Sequence, residues 1–195
     1  MPESNSRSQN IVPSMIIVLL VLQTVLQIFV LVNLKSSQSV PLTSGNVLQS
    51  EAIGSLVGKQ APEIKGISLD GSEKALSMYI GQPVLLVFTS HECRFCREMY
   101  PGLREFLETD TKTIVLVLAT ENIQANRQFQ KEFDFVGYRN LYVLSVKSEV
   151  FERYSIPGTP TFVVVDSSGK IVSTGHAITV EQIAELARLS KAQTN

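Results

Sequence analysis

The fold of this 195-residue chain is decided by Pro83-Val84-Leu85-Leu86-Val87-Phe88-Thr89 and, four residues on, by Cys93-Arg94-Phe95-Cys96. The first run is apolar and predicts a buried strand, while the residues from Phe95 onward predict a helix. Cys93 and Cys96 are the only cysteines in the sequence, so a disulfide framework is excluded. The Cys-x-x-Cys spacing suits reversible redox chemistry, although it also forms half of a zinc site.

The position of the two cysteines predicts a role for each. At the start of a helix, unpaired backbone N–H groups and the positive end of the helix dipole favour a thiolate, and Cys93 lies there. Cys96 follows one turn later, within bridging distance of Cys93. We therefore expect Cys93 to attack a partner's disulfide and Cys96 to resolve the mixed disulfide, forming a redox-active Cys93–Cys96 disulfide. We expect no cofactor.

A second motif lies far along the chain. The loop Ile156-Pro157-Gly158-Thr159-Pro160-Thr161 precedes a strongly apolar strand, Phe162-Val163-Val164-Val165. A Thr-Pro bond at the entrance of a strand is a candidate for a cis peptide.

Together these motifs resemble the thioredoxin fold, in which a strand, Cys-x-x-Cys, a helix with a proline such as Pro101 and a Thr-Pro before a hairpin follow in this order. The opening Ala61-Pro62-Glu63-Ile64 with Leu69-Asp70-Gly71 is similar to membrane-anchored thioredoxin-like proteins of the TlpA and ResA type. The motif Ser-x-x-Cys-x-x-Cys that begins at Ser90, followed by a charged residue and Pro101, is similar to that of the accessory proteins that mature methylamine dehydrogenase, the MauD type. The resemblance covers roughly residues 56–191 and implies an α/β domain with a central mixed sheet flanked by helices.

The resemblance also implies which residues bind substrate. A cis-Pro loop opposite the dithiol leaves the backbone of Thr159, beside Pro160, free to pair with an extended partner peptide. The alternative is a purely structural turn. Phe95 is either an apolar contact for the substrate or the first core residue of the helix.

Three positions depart from the family pattern. Glu92 stands where thioredoxins usually carry tryptophan, Val87 stands where thioredoxin has a buried acid, and Met99 stands where ResA-like proteins carry glutamate. The family's proton relay therefore needs a substitute, and Glu92 or His91 is our candidate for tuning the site. Alternatively, Glu92 is only a solvated acid in the first turn.

A metal site is the competing chemistry. His91 and His176 are the only histidines, and together with two cysteines they have the composition of a tetrahedral zinc or copper site. Because each imidazole is more often an exposed or hydrogen-bonded polar group, we expect no metal.

The N-terminal sequence predicts a membrane anchor. No charged residue occurs between Ser8 and Leu34. Residues 15–32 are almost wholly apolar apart from Gln23, Thr24 and Gln27, which is long enough for a helix to span a bilayer. A cleaved signal peptide is the alternative, but no small-x-small cleavage site follows the run. We expect a cytoplasmic N-terminus at 1–10, a single-pass anchor at 11–34, a flexible linker at 35–55 and a thioredoxin-like domain at 56–195.

The resemblance to extracytoplasmic family members places the domain in the periplasm or elsewhere outside the cytoplasm. We expect a thiol-disulfide oxidoreductase that reduces or isomerises disulfides of a client protein, such as an apocytochrome c or a cysteine-rich enzyme subunit. Besides the client, we expect a membrane-embedded or soluble thiol redox protein as a partner. The net charge of −1 gives no basic excess, so we expect no nucleic-acid partner. A metal-delivery module and a redox-inactive interaction domain are the alternatives.

The remaining pattern predicts alternating strands and helices. An N-terminal hairpin near residues 64–69, a strand at 84–89 and a helix at 95–108 come first. Asn122 is the expected N-cap of a second helix, and Thr179 with Gln182 form a capping box for the last one. We also expect strands at 113–119 and 141–146 and a short helix at 148–154. A hairpin is expected at 162–174.

Overall fold

Residues 21–27 and 56–191 are described by a computed structural model of the protein. The chain divides into two units, residues 1–43 and 44–195. In the first unit, residues 21–27 are helical and exposed. The rest of the anchor predicted at 11–34 and the linker predicted at 35–55 lie outside the described residues. Within the described part of the chain, no helix has the length and apolar character that crossing a membrane requires.

The second unit alternates strands and helices, as the sequence predicts. In chain order the elements are β1 Lys65–Ser68, β2 Glu73–Ala75, a 3-10 helix Leu76–Tyr79, β3 Val84–Phe88, α1 Arg94–Thr109, β4 Ile114–Ala119, α2 Ile123–Glu132, β5 Leu141–Val146, α3 Ser148–Arg153, β6 Thr161–Val165, β7 Ile171–Gly175 and α4 Val180–Lys191. The observed ends of the helices and strands differ from the predicted ones mostly by one or two residues.

The seven strands form one mixed sheet in the order β2-β1-β5-β4-β3-β6-β7. Strands β3, β4 and β5 are parallel to one another, whereas β6 runs antiparallel beside β3. The predicted mixed sheet is therefore confirmed. Because β3 and β4 are central and parallel, their carboxyl ends meet at one edge, where loops are brought together.

The sheet is buried on both faces. Every residue of β3, β4 and β6 is buried, which explains why these strands are continuous apolar runs rather than alternating ones. One face packs against α1, α2 and α4. The other face packs against α3 and the 3-10 helix. This two-sided burial fixes the ends of β3 and β4 in a rigid frame.

Local capping places the helices where the sequence predicts them. The Asn122 side chain accepts a hydrogen bond from the N–H of Ala125, and Thr179 and Gln182 exchange the two bonds of a capping box. Helix α1 continues through Pro101. At Gly102 of α1, an added Cβ would lie 2.8 Å from a backbone oxygen just before α4, so glycine permits this close approach.

Candidate active site at the carboxyl edge of β3 and β4

The two cysteines lie at the start of α1, after the short loop that follows β3. Cys93 is the N-cap of the helix, and its Sγ accepts a hydrogen bond from the backbone N–H of Cys96 at 3.2 Å. The two residues form a disulfide, with their Cα atoms 5.2 Å apart. Cys93 is half-buried, whereas Cys96 is fully buried. A partner in solution can therefore reach Cys93 but not Cys96.

The Thr-Pro loop faces this dithiol. The Thr159–Pro160 peptide bond is cis, as the sequence suggested. The carbonyl oxygen of Thr159 lies 3.1 Å from Sγ of Cys93. The contact arises because β6, which follows the loop, pairs with β3 so that Thr161 lies opposite Phe88.

His176 forms a hydrogen bond to the Thr159–Pro160 loop. Nδ1 of His176 is hydrogen-bonded to the carbonyl oxygen of Pro160. His176 directly follows β7, the neighbour of β6. This bond connects the end of β7 to the residue beside Thr159.

Phe95 lies between the cysteines with 58% of its surface exposed. It is therefore not the first core residue of α1, and of the two roles predicted for it only the surface contact is compatible with this position. The core face of α1 instead begins at Cys96 and includes Met99 and Leu103.

The arginines near the dithiol are paired with glutamates. Arg94 lies 3.0 Å from Glu98, and Arg97 pairs with Glu132 of α2. Exposed ion pairs of this kind are weakened by solvent, and each glutamate offsets the positive charge beside the cysteines. Glu92, the acid in the usual tryptophan position, is exposed.

A carboxylate that sequence reasoning missed lies beside the dithiol loop. Oε1 of Glu121 accepts hydrogen bonds from the backbone N–H of His91 at 2.8 Å and from the hydroxyl of Ser90 at 3.0 Å. Burial acts to raise the pKa of Glu121, but these bonds to the charged form outweigh it and hold the pKa below its usual range. Glu121 lies two residues after the end of β4, so the rule that carboxyl ends of neighbouring parallel strands meet would have identified it.

The surroundings of this carboxylate are aromatic. The imidazole of His91 stacks on the ring of Phe129 with centroids 4.8 Å apart. Phe129 in turn contacts Tyr100, whose hydroxyl is hydrogen-bonded to Thr89. Burial is the main cause that raises the pKa of Tyr100 to about 12, so this phenol stays neutral at ordinary pH.

The residues considered for a metal are not brought together. Among residues 21–27 and 56–191, no three His, Cys, Asp or Glu side chains are placed to hold a metal ion. His176 is instead engaged with Pro160, and His91 is stacked on Phe129.

The fold and this site define the class: a thioredoxin-fold protein with a Cys-x-x-Cys disulfide that faces a cis-proline loop. The AhpC/TSA family matches residues 57–174, and the chain belongs to that family.

Individual relatives agree with the predicted resemblance. The methylamine utilization protein MauD of Methylophilus methylotrophus is 31% identical over 133 residues, which are 67% of this chain and 60% of that protein. The thiol-disulfide oxidoreductase ResA of Bacillus thuringiensis subsp. konkukian is 26% identical over 120 residues, covering 60% of this chain and 67% of its own. This chain thus spans less than two thirds of the length of MauD.

A solved structure has the same fold. The thioredoxin domain of a thiol-disulfide oxidoreductase from Bacteroides vulgatus superposes with a TM-score of 0.57 and 26% identity. The match covers 67% of this chain and 97% of that domain. The predicted thioredoxin fold is therefore confirmed.

Proposed function

We propose that this protein is a thiol-disulfide oxidoreductase that works through Cys93 and Cys96. One observation carries the proposal: the half-buried sulfur of Cys93 lies at the start of α1 and faces the Thr159 carbonyl, while Cys96 is buried behind it. The N–H of Cys96 that points at Cys93 Sγ stabilises a negative charge on that sulfur in the reduced form.

The exchange proceeds in two displacements. In the reduced protein the Cys93 thiolate attacks one sulfur of a client disulfide, which breaks that bond, forms a mixed disulfide and releases one client thiolate. Cys96 then loses its proton and attacks Sγ of Cys93, which closes the Cys93–Cys96 disulfide and releases the second client thiolate. Two electrons pass from the protein to the client. The two client thiolates take up two protons, one released by Cys96 and one from solvent, because Cys93 starts as the thiolate. A thiol redox partner restores the dithiol by the reverse steps.

The cis-proline loop is the proposed binding site for the client. An extended peptide that pairs with the backbone of Thr159, next to Pro160, is delivered along the loop toward Cys93, because the Thr159 carbonyl lies against that sulfur. The exposed ring of Phe95 provides an apolar contact beside the attacked disulfide.

The proposed client is a protein that matures outside the cytoplasm, either an apocytochrome c or a cysteine-rich enzyme subunit. The likeness to MauD, which is named for methylamine utilization, is the reason for including a cysteine-rich enzyme subunit. The likeness to ResA supports thiol-disulfide chemistry. The regenerating partner in this scheme is a membrane-embedded or soluble thiol protein.

We place the protein at the membrane through residues 11–34, with the catalytic domain on the extracytoplasmic side. The proposal is supported by the charge-free sequence from Ser8 to Leu34. The exposed aliphatic side chains at 21–27, Val21, Leu22, Val25 and Leu26, fit a lipid-facing helix.

The function is tested with the full-length reduced protein and a disulfide-bonded peptide, with the Cys93→Ser, Cys96→Ser double variant as control. We expect the wild-type protein to reduce the peptide and to form its own disulfide in equal amount, and the double variant to do neither. Equilibration with glutathione then gives the reduction potential, and a strongly reducing value identifies a reductase. A wild-type protein that exchanges no faster than the double variant would overturn the proposal.

A further inference from the structure

The loop that leads to the dithiol is held by one carboxylate. Oε1 of Glu121 accepts from the N–H of His91 and from the hydroxyl of Ser90, and the carbonyl oxygen of Ser90 accepts from the N–H of Cys93 at 3.2 Å. The chain of bonds therefore runs from Glu121 through the Ser90–His91 turn to the residue that begins α1. Removing the carboxylate would free this turn.

Glu121 is itself fixed from two further elements. Its backbone carbonyl accepts hydrogen bonds from the hydroxyl of Ser145 on β5 at 2.6 Å and from the side-chain amide of Asn126 on α2 at 3.0 Å. Asn126 is completely buried. The Ser90–His91 turn, β5 and α2 thus all contact this residue, which is held in place before any client binds.

Unpaired polar atoms are concentrated at the same place. In the described part of the chain, three buried side-chain atoms have no protein hydrogen-bond partner: His91 Nε2, Glu121 Oε2 and Asn126 Oδ1. All three belong to this cluster. Buried polar atoms are almost always paired, so this cluster is exceptional within the described residues.

We propose that Glu121 is a positioning residue for the dithiol, which holds the Ser90–His91 turn by its hydrogen bonds and disfavours the Cys93 thiolate by its negative charge. This inference rests on the proposed thiol-disulfide exchange. It assigns to Glu121 the influence on the dithiol that the sequence suggested for Glu92, which is exposed and therefore better screened by solvent.

Few titratable side chains face the Glu121 carboxylate. His91 from the loop and Tyr100 from α1 are the titratable side chains that face it. Tyr100 is neutral, and the contacts from α2 and β5, Asn126 and Ser145, carry no charge. Of these groups, the Glu121 carboxylate carries the negative charge that we expect to disfavour the Cys93 thiolate.

Glu121→Gln separates charge from geometry, because its side-chain carbonyl can still accept the bonds from His91 and Ser90. At pH 8 we expect it to lower the pKa of the Cys93 thiol and to make the protein more oxidising. The equilibrium constant with glutathione should change by about three- to tenfold. Glu185→Gln is the matched control, because it removes the same charge from an exposed pair with Arg188 on α4, and it should leave both quantities unchanged.

Glu121→Ala removes the hydrogen bonds as well as the charge, so its exchange rate should fall while that of Glu121→Gln is retained. Ser90→Ala tests the positioning part if the Glu121 variants do not fold. It keeps the charge and removes one bond to the turn, so we expect slower exchange at an unchanged potential.

Three outcomes separate the inference from the proposed function. If the wild-type protein does not reduce the peptide, the proposed function itself is overturned. Wild-type exchange together with a Glu121→Gln variant of unchanged thiol pKa and potential would overturn only the charge effect proposed for Glu121. An unchanged exchange rate in both Glu121→Ala and Ser90→Ala would overturn the positioning role.

Discussion

The sulfur of Cys93 lies 3.1 Å from the carbonyl oxygen of Thr159, although 66 residues separate them along the chain. The pairing of β6 with β3 brings them together, because it returns the loop before β6 to the end of β3. The dithiol and the loop therefore lie at one site. Under the proposed function, a peptide that pairs with this loop brings its disulfide to Cys93.

Glu92→Gln should have only a small effect on the dithiol. A carboxylate next to Cys93 disfavours the thiolate, so its removal should lower the pKa of the Cys93 thiol, but by less than about one unit because Glu92 is exposed. Titration of the thiolate absorbance in the reduced protein measures the shift, with Glu73→Gln on β2 as a distant control. A pKa equal to that of the wild type would exclude Glu92 from tuning the site.

His176→Leu should slow exchange with a peptide disulfide, because it removes the hydrogen bond to Pro160 that supports the binding loop. His176→Asn should retain most of the rate, since its amide nitrogen occupies nearly the position of Nδ1 and can donate to the same carbonyl. The rate with a small disulfide reagent, which needs no loop pairing, should be similar in all three proteins. Equal peptide rates for the Leu and Asn variants would show that this bond has no such role.

Asp110 should make the fold sensitive to acid. Burial acts to raise the pKa of Asp110, but bonds from Lys191, Thr113 and Lys112 lower it below the ordinary 3.8. A depressed folded pKa stabilises the protein above the unfolded pKa, and this contribution is lost as pH falls through the folded pKa. Asp110→Asn should therefore lower the free energy of unfolding by about 1 to 2 kcal/mol at pH 7, and the difference should vanish in strong acid.

Urea denaturation of both proteins across this pH range measures the effect. The exposed Asp134→Asn is the control and should change stability little. A difference between Asp110→Asn and wild type that persists unchanged in strong acid would contradict the assignment to the ionised carboxylate.

Residues 11–34 should keep the protein in the membrane fraction after extraction with alkaline carbonate, because an apolar helix of this length is not released by high pH. A chain that lacks these residues should appear in the soluble fraction. In spheroplasts, added protease should digest the catalytic domain. Release of the full chain by carbonate, or protection of the domain from protease, would refute the proposed topology.

Much of the fold follows from local sequence. The apolar run at β3 predicts a central strand because both faces of that strand are buried. Asn122 predicts the start of α2 because its cap bond involves only neighbouring residues. The two cysteines and Thr159 were predicted as one site from the thioredoxin-like order of motifs, and the structure brings them together.

The remainder depends on contacts that no local pattern contains. Glu121 was missed because it reaches the dithiol loop across 30 residues, through the backbone of His91. Asn126 was missed for the same reason, since a polar residue can be buried on α2 only where its amide finds the Glu121 carbonyl. Phe95 lies at the boundary between core and surface. Only the observed position of α1 shows that its side chain is exposed.

The most direct test of the account is to trap the mixed disulfide. Reduced full-length Cys96→Ser is incubated with a disulfide-bonded peptide and analysed by intact mass and by mapping of the modified residue. Because Cys93 is accessible and Cys96 is buried, we predict a stable adduct of one peptide on Cys93, and no adduct with Cys93→Ser on the same time scale. Faster adduct formation at Cys96 in the Cys93→Ser protein would contradict the assignment of Cys93 as the nucleophile.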